Sequence, residues 1–530
     1  MQLDNDLLAI QEVRDLCRRA KQAQEKFREY TQEEVDRIVA DMAEAGFGAA
    51  EHLAQLAVRE TGYGNVPDKT MKNQFGTRDV YESIRALRTV GIIREDRKNK
   101  ILEIGEPMGV VVAIVPTTNP TSTAMYKSLI SIKARNSIII SPHPRAKGCI
   151  LAATNIIDDA ARAAGAPEGL INTLTRPTLK ATHELMRCQE TDVILATGGK
   201  ALVSAAYSAG KPAYGVGPGN VPVYLDRSAN CKKAIADIIT GKTFDYGTLC
   251  SSEQALIADA PVARRARQAL QDGGAYFMSA AEADKLQAIL ISADFRINPE
   301  MVGKAPAVLA RAAGFKIPEG TRLLVAELSG VGKEVPLSAE KLSPTLVFYT
   351  VNGYEEGIRR SVEILNFGGK GHTAAIHAKD ENVVRQFGLS VPASRVVVNS
   401  PSSLGAVGAT NELMPAMTLG CGSFGRNITS DNISAHHLMN IKRVATETRP
   451  AGQAQNGATW NAAIQHDWQN REAPYNKALS SDVSRKGASL PNGADESSPT
   501  PTSETPAFGA SGMSESEVEH VVEQFLKNRN

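Results

Sequence analysis

Short apolar runs of strand length recur along this chain, with helix-length stretches between them. That alternation restricts the fold more than any other feature. Gly109 leads into Val-Val-Val-Ala-Ile-Val, closed by Pro116, so 110–115 reads as a strand. A helix follows at 123–134, a strand at 137–140 and a helix at 146–164. Strand-like runs at 170–174, 192–196 and 221–225 continue the series. A second series begins at 254–258 and continues at 323–326, 345–349, 373–377 and 395–399. Such β-α alternation predicts two α/β lobes, each a mostly parallel sheet covered by helices. Ahead of them, residues 1 to about 90 are rich in Ala, Glu, Arg and Gln, with the helical spacing of Leu7, Leu8, Val13, Leu16 and Cys17.

The 530 residues suffice for two or three domains with full cores. Fifty-nine basic against 58 acidic residues leave a net charge of +1, which gives no reason to expect nucleic acid or an anionic membrane as partner. No apolar run approaches the roughly 20 residues of a membrane span. Met1-Gln-Leu-Asp-Asn-Asp6 has neither the basic start nor the apolar stretch of an export signal. Six scattered cysteines (Cys17, Cys149, Cys188, Cys231, Cys250 and Cys421) predict a reducing cytoplasm without disulfides. No cluster has metal-ligand spacing, so no metal is expected. The adjacent His436 and His437 would point to different faces of a helix and are read as structural.

Composition changes near Arg449. Residues 451–512 are rich in Ala, Gly, Ser, Pro, Asn and Thr and read as a disordered linker, in which Trp460 and Trp468 are placed to dock on the globular body. Ser514-Glu-Ser-Glu517 then reads as a capping box. Val518, Val521, Val522, Phe525 and Leu526 follow on one helical stripe, closed by Lys527 and Arg529. An apolar face beyond a long linker reads as a docking helix; the competing reading folds it back on its own body.

Four segments carry candidate chemistry. In Phe244-Asp-Tyr-Gly-Thr-Leu-Cys250-Ser-Ser-Glu-Gln254, a thiol sits among small polar residues just before a strand. It reads either as a nucleophile or as a small buried hydrophobe. Val115-Pro-Thr-Thr-Asn-Pro-Thr-Ser122 carries a strand into a loop of hydroxyls and an amide. Ile194-Leu-Ala-Thr-Gly-Gly-Lys200 ends a strand in two glycines and opens a helix, a suitable cradle for a phosphate. Tyr214-Gly-Val-Gly-Pro-Gly-Asn-Val-Pro222 has three alternate glycines that permit close backbone approach.

Taken in order, these segments resemble the aldehyde dehydrogenase superfamily and, within it, the CoA-acylating branch. That branch includes acetaldehyde and propionaldehyde dehydrogenases of bacterial microcompartments and the aldehyde half of bifunctional aldehyde-alcohol dehydrogenases. The resemblance covers about 5–446. It is most specific in Val115-Pro-Thr-Thr-Asn-Pro-Thr-Ser-Thr123, Ser141-Pro-His-Pro-Arg-Ala-Lys147, Lys242-Thr-Phe-Asp245 with the Cys250 loop, and Leu419-Gly-Cys-Gly-Ser-Phe-Gly425. It implies a Rossmann-type cofactor domain over 1–240, with an arm segment near 98–106, and an α/β catalytic domain over 241–426. An oligomerisation arm over 427–446, the linker over 447–512 and an encapsulation-type helix over 513–530 complete the layout. A homo-oligomer is expected.

The resemblance also implies roles. Cys250 would add to the aldehyde carbonyl and become a thioester after hydride transfer to NAD. Asn119, or Thr118 beside it, would hold the oxyanion with the Cys250 backbone N–H. Both remain open, because hydrolytic relatives carry their Asn one position earlier. Cofactor contacts fall on Thr117, Ser141, Pro142, His143, Thr197, Gly198, Gly199 and the ribose-binding Glu340. Hydrolytic relatives have a water-activating glutamate where this chain has Val216, and valine cannot be a base. A thiol needs less activation, so coenzyme A is the expected acceptor. His372 is the candidate for moving a proton at that step, or else a strand-edge histidine bonded to backbone.

The expectation is oxidation of propanal or acetaldehyde to acyl-CoA with NAD, in the cytoplasm within a bacterial microcompartment whose shell or core proteins dock residues 513–530. The rivals are a hydrolytic aldehyde or semialdehyde dehydrogenase and an inactive assembly protein. Chain length of the aldehyde and NAD against NADP are not readable from the sequence.

Overall fold

The run at 110–115 forms a strand buried along its whole length, Val110–Val115, at the centre of a five-stranded parallel sheet. In space the strands run Ile171–Thr173, Ser137–Pro142, Val110–Val115, Thr191–Thr197, Ala213–Val216. Numbered along the chain this is 3-2-1-4-5, the doubly wound dinucleotide-binding order, and the direction of winding reverses between Val110–Val115 and Thr191–Thr197. Lys127, on the helix Pro120–Lys133, stitches that switch point. It is fully buried and donates to the carbonyls of Ile114 at 2.8 Å and Leu195 at 2.9 Å, one on each strand. The computed structural model describes residues 4–449, apart from residue 293. The linker expected from 450 onward, with Trp460 and Trp468, and the helix expected over 513–530 lie outside the described residues.

The N-terminal region is helical, as its periodicity predicts. The helix Asn5–Phe27 packs Ala9, Val13, Cys17 and Ala20 onto Val110, Val112 and Ile114 of the sheet. The alanines let the helix approach closely, so the contact face is offset from the one expected and Leu7 stays 55% exposed. Gln32–Gly48 begins at a capping box between Thr31 and Glu34.

The second sheet has seven parallel strands. Their order is Ala275–Phe277, Leu323–Glu327, Thr345–Val351, Glu253–Asp259, Val221–Leu225, Gly371–His377, Ala393–Val398. Val221–Leu225 was expected to extend the first series, but it pairs inside this sheet. The chain therefore changes sheets between Val216 and Val221, ahead of the expected boundary at 240. Gly217-Pro218-Gly219 explains the break, since Pro218 has no N–H for a ladder.

The two segments expected as subunit arms belong to one antiparallel sheet, Gly91–Asp96, Ile101–Pro107 and Met439–Ala445. Lys442–Glu106 at 2.8 Å and Arg443–Glu103 at 3.0 Å tie its strands. His436 and His437 do not diverge as expected. They lie in the turn Ala435–Leu438 with ring centroids 3.8 Å apart, because the Ser434 N–H donates to His437 Nδ1 at 3.0 Å and folds that ring back. No helix among the described residues is long and apolar enough to cross a membrane.

Candidate active site

The candidate residues converge from opposite ends of the two sheets. Thr117–Asn119, Pro142–His143 and Thr197–Gly199 lie at or just past the carboxyl ends of strands in the first sheet. Cys250, Glu340 and His372 lie at or before the amino ends of strands in the second. Contacts cross the seam: Gly219 N–H donates to Glu340 Oε1 at 3.0 Å, and the Thr197 and Thr418 hydroxyls are 3.4 Å apart.

The nucleophile loop is held in an unusual backbone. The helix Cys231–Thr243 runs into Phe244–Gly247, where Asp245 (φ 48°), Tyr246 (φ 51°) and Gly247 (φ 73°) are all left-handed. Left-handed backbone costs about 1–2 kcal/mol at a non-glycine residue. The Asp245 side chain offsets that cost. Its Oδ1 accepts from Asn65 N–H at 2.9 Å, and its Oδ2 from Lys69 Nζ at 2.9 Å, from Thr248 Oγ1 at 2.5 Å and from Lys72 Nζ. Burial works against ionisation here, but the Lys72 and Lys69 ammoniums outweigh it and hold the carboxyl below its usual range.

Beyond this loop, Cys250 Sγ lies 3.2 Å from His372 Nε2, while His372 Nδ1 faces Thr373 Oγ1 at 2.9 Å. Both groups are neutral as they stand. Burial, helped by Glu340 and Cys421, pushes the Cys250 thiol up to about 12. Burial, helped by Arg395, pushes His372 down to about 3. Gly219 packs against the backbone of the sulfur-bearing residue. A Cβ there would fall 2.1 Å from the Cys250 carbonyl oxygen and 3.3 Å from His372 Nδ1, so of the three alternate glycines it is Gly219 that makes the close approach to the nucleophile's residue.

Asn119 is buried at the start of the helix Pro120–Lys133, with Oδ1 accepting from Lys72 Nζ at 2.6 Å and Nδ2 donating to Thr118 Oγ1 at 3.2 Å. The Thr118 carbonyl accepts from Lys69 Nζ at 3.1 Å. Lys69 and Lys72 are absent from the sequence reading. Nothing in a helix carrying Asp68, Lys69 and Lys72 signals that two of its charges are buried.

The cofactor side fits a dinucleotide. Gly199 starts the helix Lys200–Tyr207 with no side-chain cap, and a Cβ at Gly199 or Gly217 would meet nothing within 4 Å. Open space before free helix N–H groups, at the switch point of a 3-2-1-4-5 sheet, suits a pyrophosphate. Ser141 contributes differently from a free hydroxyl, because its Oγ is 2.9 Å from Thr182 Oγ1. His143 is exposed, with Nδ1 accepting from Arg145 N–H at 3.1 Å. Glu340 is buried, and burial pushes its carboxyl up to about 8.

Known proteins resemble this chain in sequence and fold. The family model described as "Aldehyde dehydrogenase family" matches residues 7–277. The aldehyde-alcohol dehydrogenase of Clostridium acetobutylicum is 42% identical over 441 residues, 82% of this chain and 51% of its own length. The chain thus spans about half the length of the first curated relatives it matches. The crystal structure of an acetylating aldehyde dehydrogenase from Geobacillus thermoglucosidasius superposes with a TM-score of 0.84 at 52% identity, covering 85% of this chain and 99% of that one. A propionaldehyde dehydrogenase from the Clostridium phytofermentans fucose utilisation bacterial microcompartment superposes with a TM-score of 0.74 at 27% identity, covering 82% and 97%. A profile match over half the sequence, two superposed folds and a thiol at the seam of two parallel sheets agree, and the chain belongs to the aldehyde dehydrogenase family.

Proposed function

We propose that the chain oxidises a short aldehyde, propanal or acetaldehyde, to its acyl-CoA with NAD. The observation that carries this reading is the Cys250 Sγ to His372 Nε2 contact of 3.2 Å; the resemblance, which aligns Val216 with the water-activating glutamate of hydrolytic relatives, supports coenzyme A over water as the acceptor. As the sulfur adds to the carbonyl carbon, its proton passes to His372 Nε2. The C–S bond forms, and the carbonyl π pair moves onto oxygen. That oxygen is received by Asn119 Nδ2 and the Cys250 backbone N–H, donors of a kind each worth about 3–4 kcal/mol when aimed at the developing charge. The oxidised nicotinamide, when bound against Thr197–Gly199 with its ribose at Glu340, supplies the hydride acceptor and a positive charge beside the sulfur. Cys250 is then a thioester. The thiol of coenzyme A attacks it, and the Cys250 sulfur leaves and is reprotonated. The balance is aldehyde + CoA-SH + NAD⁺ to acyl-CoA + NADH + H⁺.

The same segments that pair as Ile101–Pro107 and Met439–Ala445 support a homo-oligomer. The apolar stripe over 518–526 and the microcompartment origin of one similar structure support enclosure in a shell, which would retain a volatile aldehyde.

Chromatography of the products with aldehydes of two to four carbons tests the reading. Acyl-CoA in a one-to-one ratio with NADH is expected for at least one of them; free carboxylic acid as the main product would assign the hydrolytic reaction instead. Deleting residues 513–530 is expected to leave that rate per active site unchanged and to abolish co-purification with shell proteins. Loss of catalysis on truncation would show that the terminal helix packs on its own enzyme.

A further inference from the structure

Two lysines three residues apart on the helix Val66–Gln74 point into the interior. Lys69 is 2% exposed and Lys72 4%. Lysine ordinarily keeps its ammonium in water, and burying one is costly unless it is paired. Here two ammoniums share one fully buried carboxylate, Asp245. One lysine would satisfy that carboxylate, and Lys69 does so while also holding the Thr118 carbonyl. The second lysine shares Asp245 Oδ2 and, at 3.5 Å, the Thr118 carbonyl with the first, and adds two contacts of its own. Lys72 Nζ donates to Asn119 Oδ1 at 2.6 Å and to Thr248 Oγ1 at 3.2 Å. Four acceptors around three protons leave none for a substrate.

The contact with Asn119 decides which way its amide faces. With Oδ1 turned to an ammonium, Nδ2 must point away from it. Charge on the acceptor side also draws electron density from the amide nitrogen, making its N–H groups stronger donors. Thr248 lies two residues before Cys250, so the same ammonium fixes the amide relative to the nucleophile loop. We propose that Lys72 is a positioning residue for carbonyl addition, holding the Asn119 amide so that Nδ2 meets the developing oxyanion beside Cys250. This rests on the reading of Asn119 as an oxyanion donor.

Single-turnover NADH formation in the full-length enzyme tests both steps separately. Asn119→Ala is expected to slow the first turnover about 10²–10³-fold. Lys72→Met is expected to slow it about 10²-fold with KM for NAD unchanged. The double variant is expected to be no slower than Asn119→Ala, because Lys72 acts through that amide. Lys69→Met, which loses contacts to Asp245 and the Thr118 carbonyl but none to the Asn119 side chain, is expected to lower thermal stability and to slow the first turnover less than Lys72→Met, by a factor that persists in the Asn119→Ala background. Should Lys72→Met not fold, Lys72→Gln takes its place in the cycle, with a loss of about tenfold that must likewise vanish in the Asn119→Ala background. Multiplying losses in the double variant, or equal slowing by both lysine substitutions, overturns the proposal. An unchanged first turnover in Asn119→Ala overturns the oxyanion reading beneath it.

Discussion

Cys250→Ala is expected to lower NADH formation by at least about 10⁴-fold and to leave NAD affinity within about twofold, because no other group takes over a nucleophile that becomes the acyl carrier. Cofactor affinity is expected to persist because its site is built elsewhere, from Thr197–Gly199 at the carboxyl end of a different sheet. Absorbance of NADH and calorimetric titration of NAD read the two quantities. Turnover within about a hundredfold of wild type would remove Cys250 from the reaction. The same variant is the control for a pH prediction. With the thiol pushed up to about 12 by burial, its thiolate fraction in the free enzyme rises about tenfold for each pH unit below that value. Alkylation of Cys250, followed by mass spectrometry against Cys250→Ala, should therefore climb steadily from about pH 7 to 10. A plateau near neutrality would show a thiolate–imidazolium pair with His372 instead.

What the sequence revealed of this fold follows from burial. Val110–Val115 and Glu253–Asp259 are buried on both faces, so they read as unbroken apolar runs within a residue or so of their observed ends. Edge strands carry less signal. Ala213–Val216 contains Gly215 and is four residues long, and Ala275–Phe277 is three; neither was legible as a strand. The site divides in the same way. Cys250 and the Thr197–Gly199 turn are local patterns and stand out. His372 was a candidate only through resemblance, since 122 residues separate it from the sulfur it touches. Lys69 and Lys72 were invisible, because a helix with charges three apart normally shows them to solvent, and their carboxylate lies more than 170 residues away. Sequence spacing reveals what one element presents; it does not reveal which charges another element will cover.

Omitting coenzyme A is expected to stop NADH production after about one equivalent per Cys250, with a steady rate at least about 10³-fold below that with CoA. The acyl group on sulfur can leave only to a nucleophile that needs no strong base. Coenzyme A qualifies, because a few per cent of a free thiol is already ionised near neutral pH. Water does not, and the groups around the sulfur offer it little help. His372 faces the Cys250 sulfur through Nε2 and Thr373 Oγ1 through Nδ1, so neither ring nitrogen is free to hold a water. Glu340 has one oxygen engaged by the Gly219 N–H. Val216, which the resemblance aligns with the base of hydrolytic relatives, is 2% exposed at the end of its strand and has no proton-accepting group at all. Val216→Glu would put a carboxyl there. Burial pushes Glu253 and Glu340 of this chain up to about 8, and burial at 216 would raise a glutamate there in the same direction, toward the range in which a general base works. That variant is expected to raise the CoA-independent steady rate about tenfold or more, with free acid as product. Quenched-flow measurement of the burst and chromatography of the products check both halves. Sustained release of free acid by the wild-type enzyme without CoA would mean that water already has a base in this site, and that the valine at 216 does not decide which nucleophile receives the acyl group.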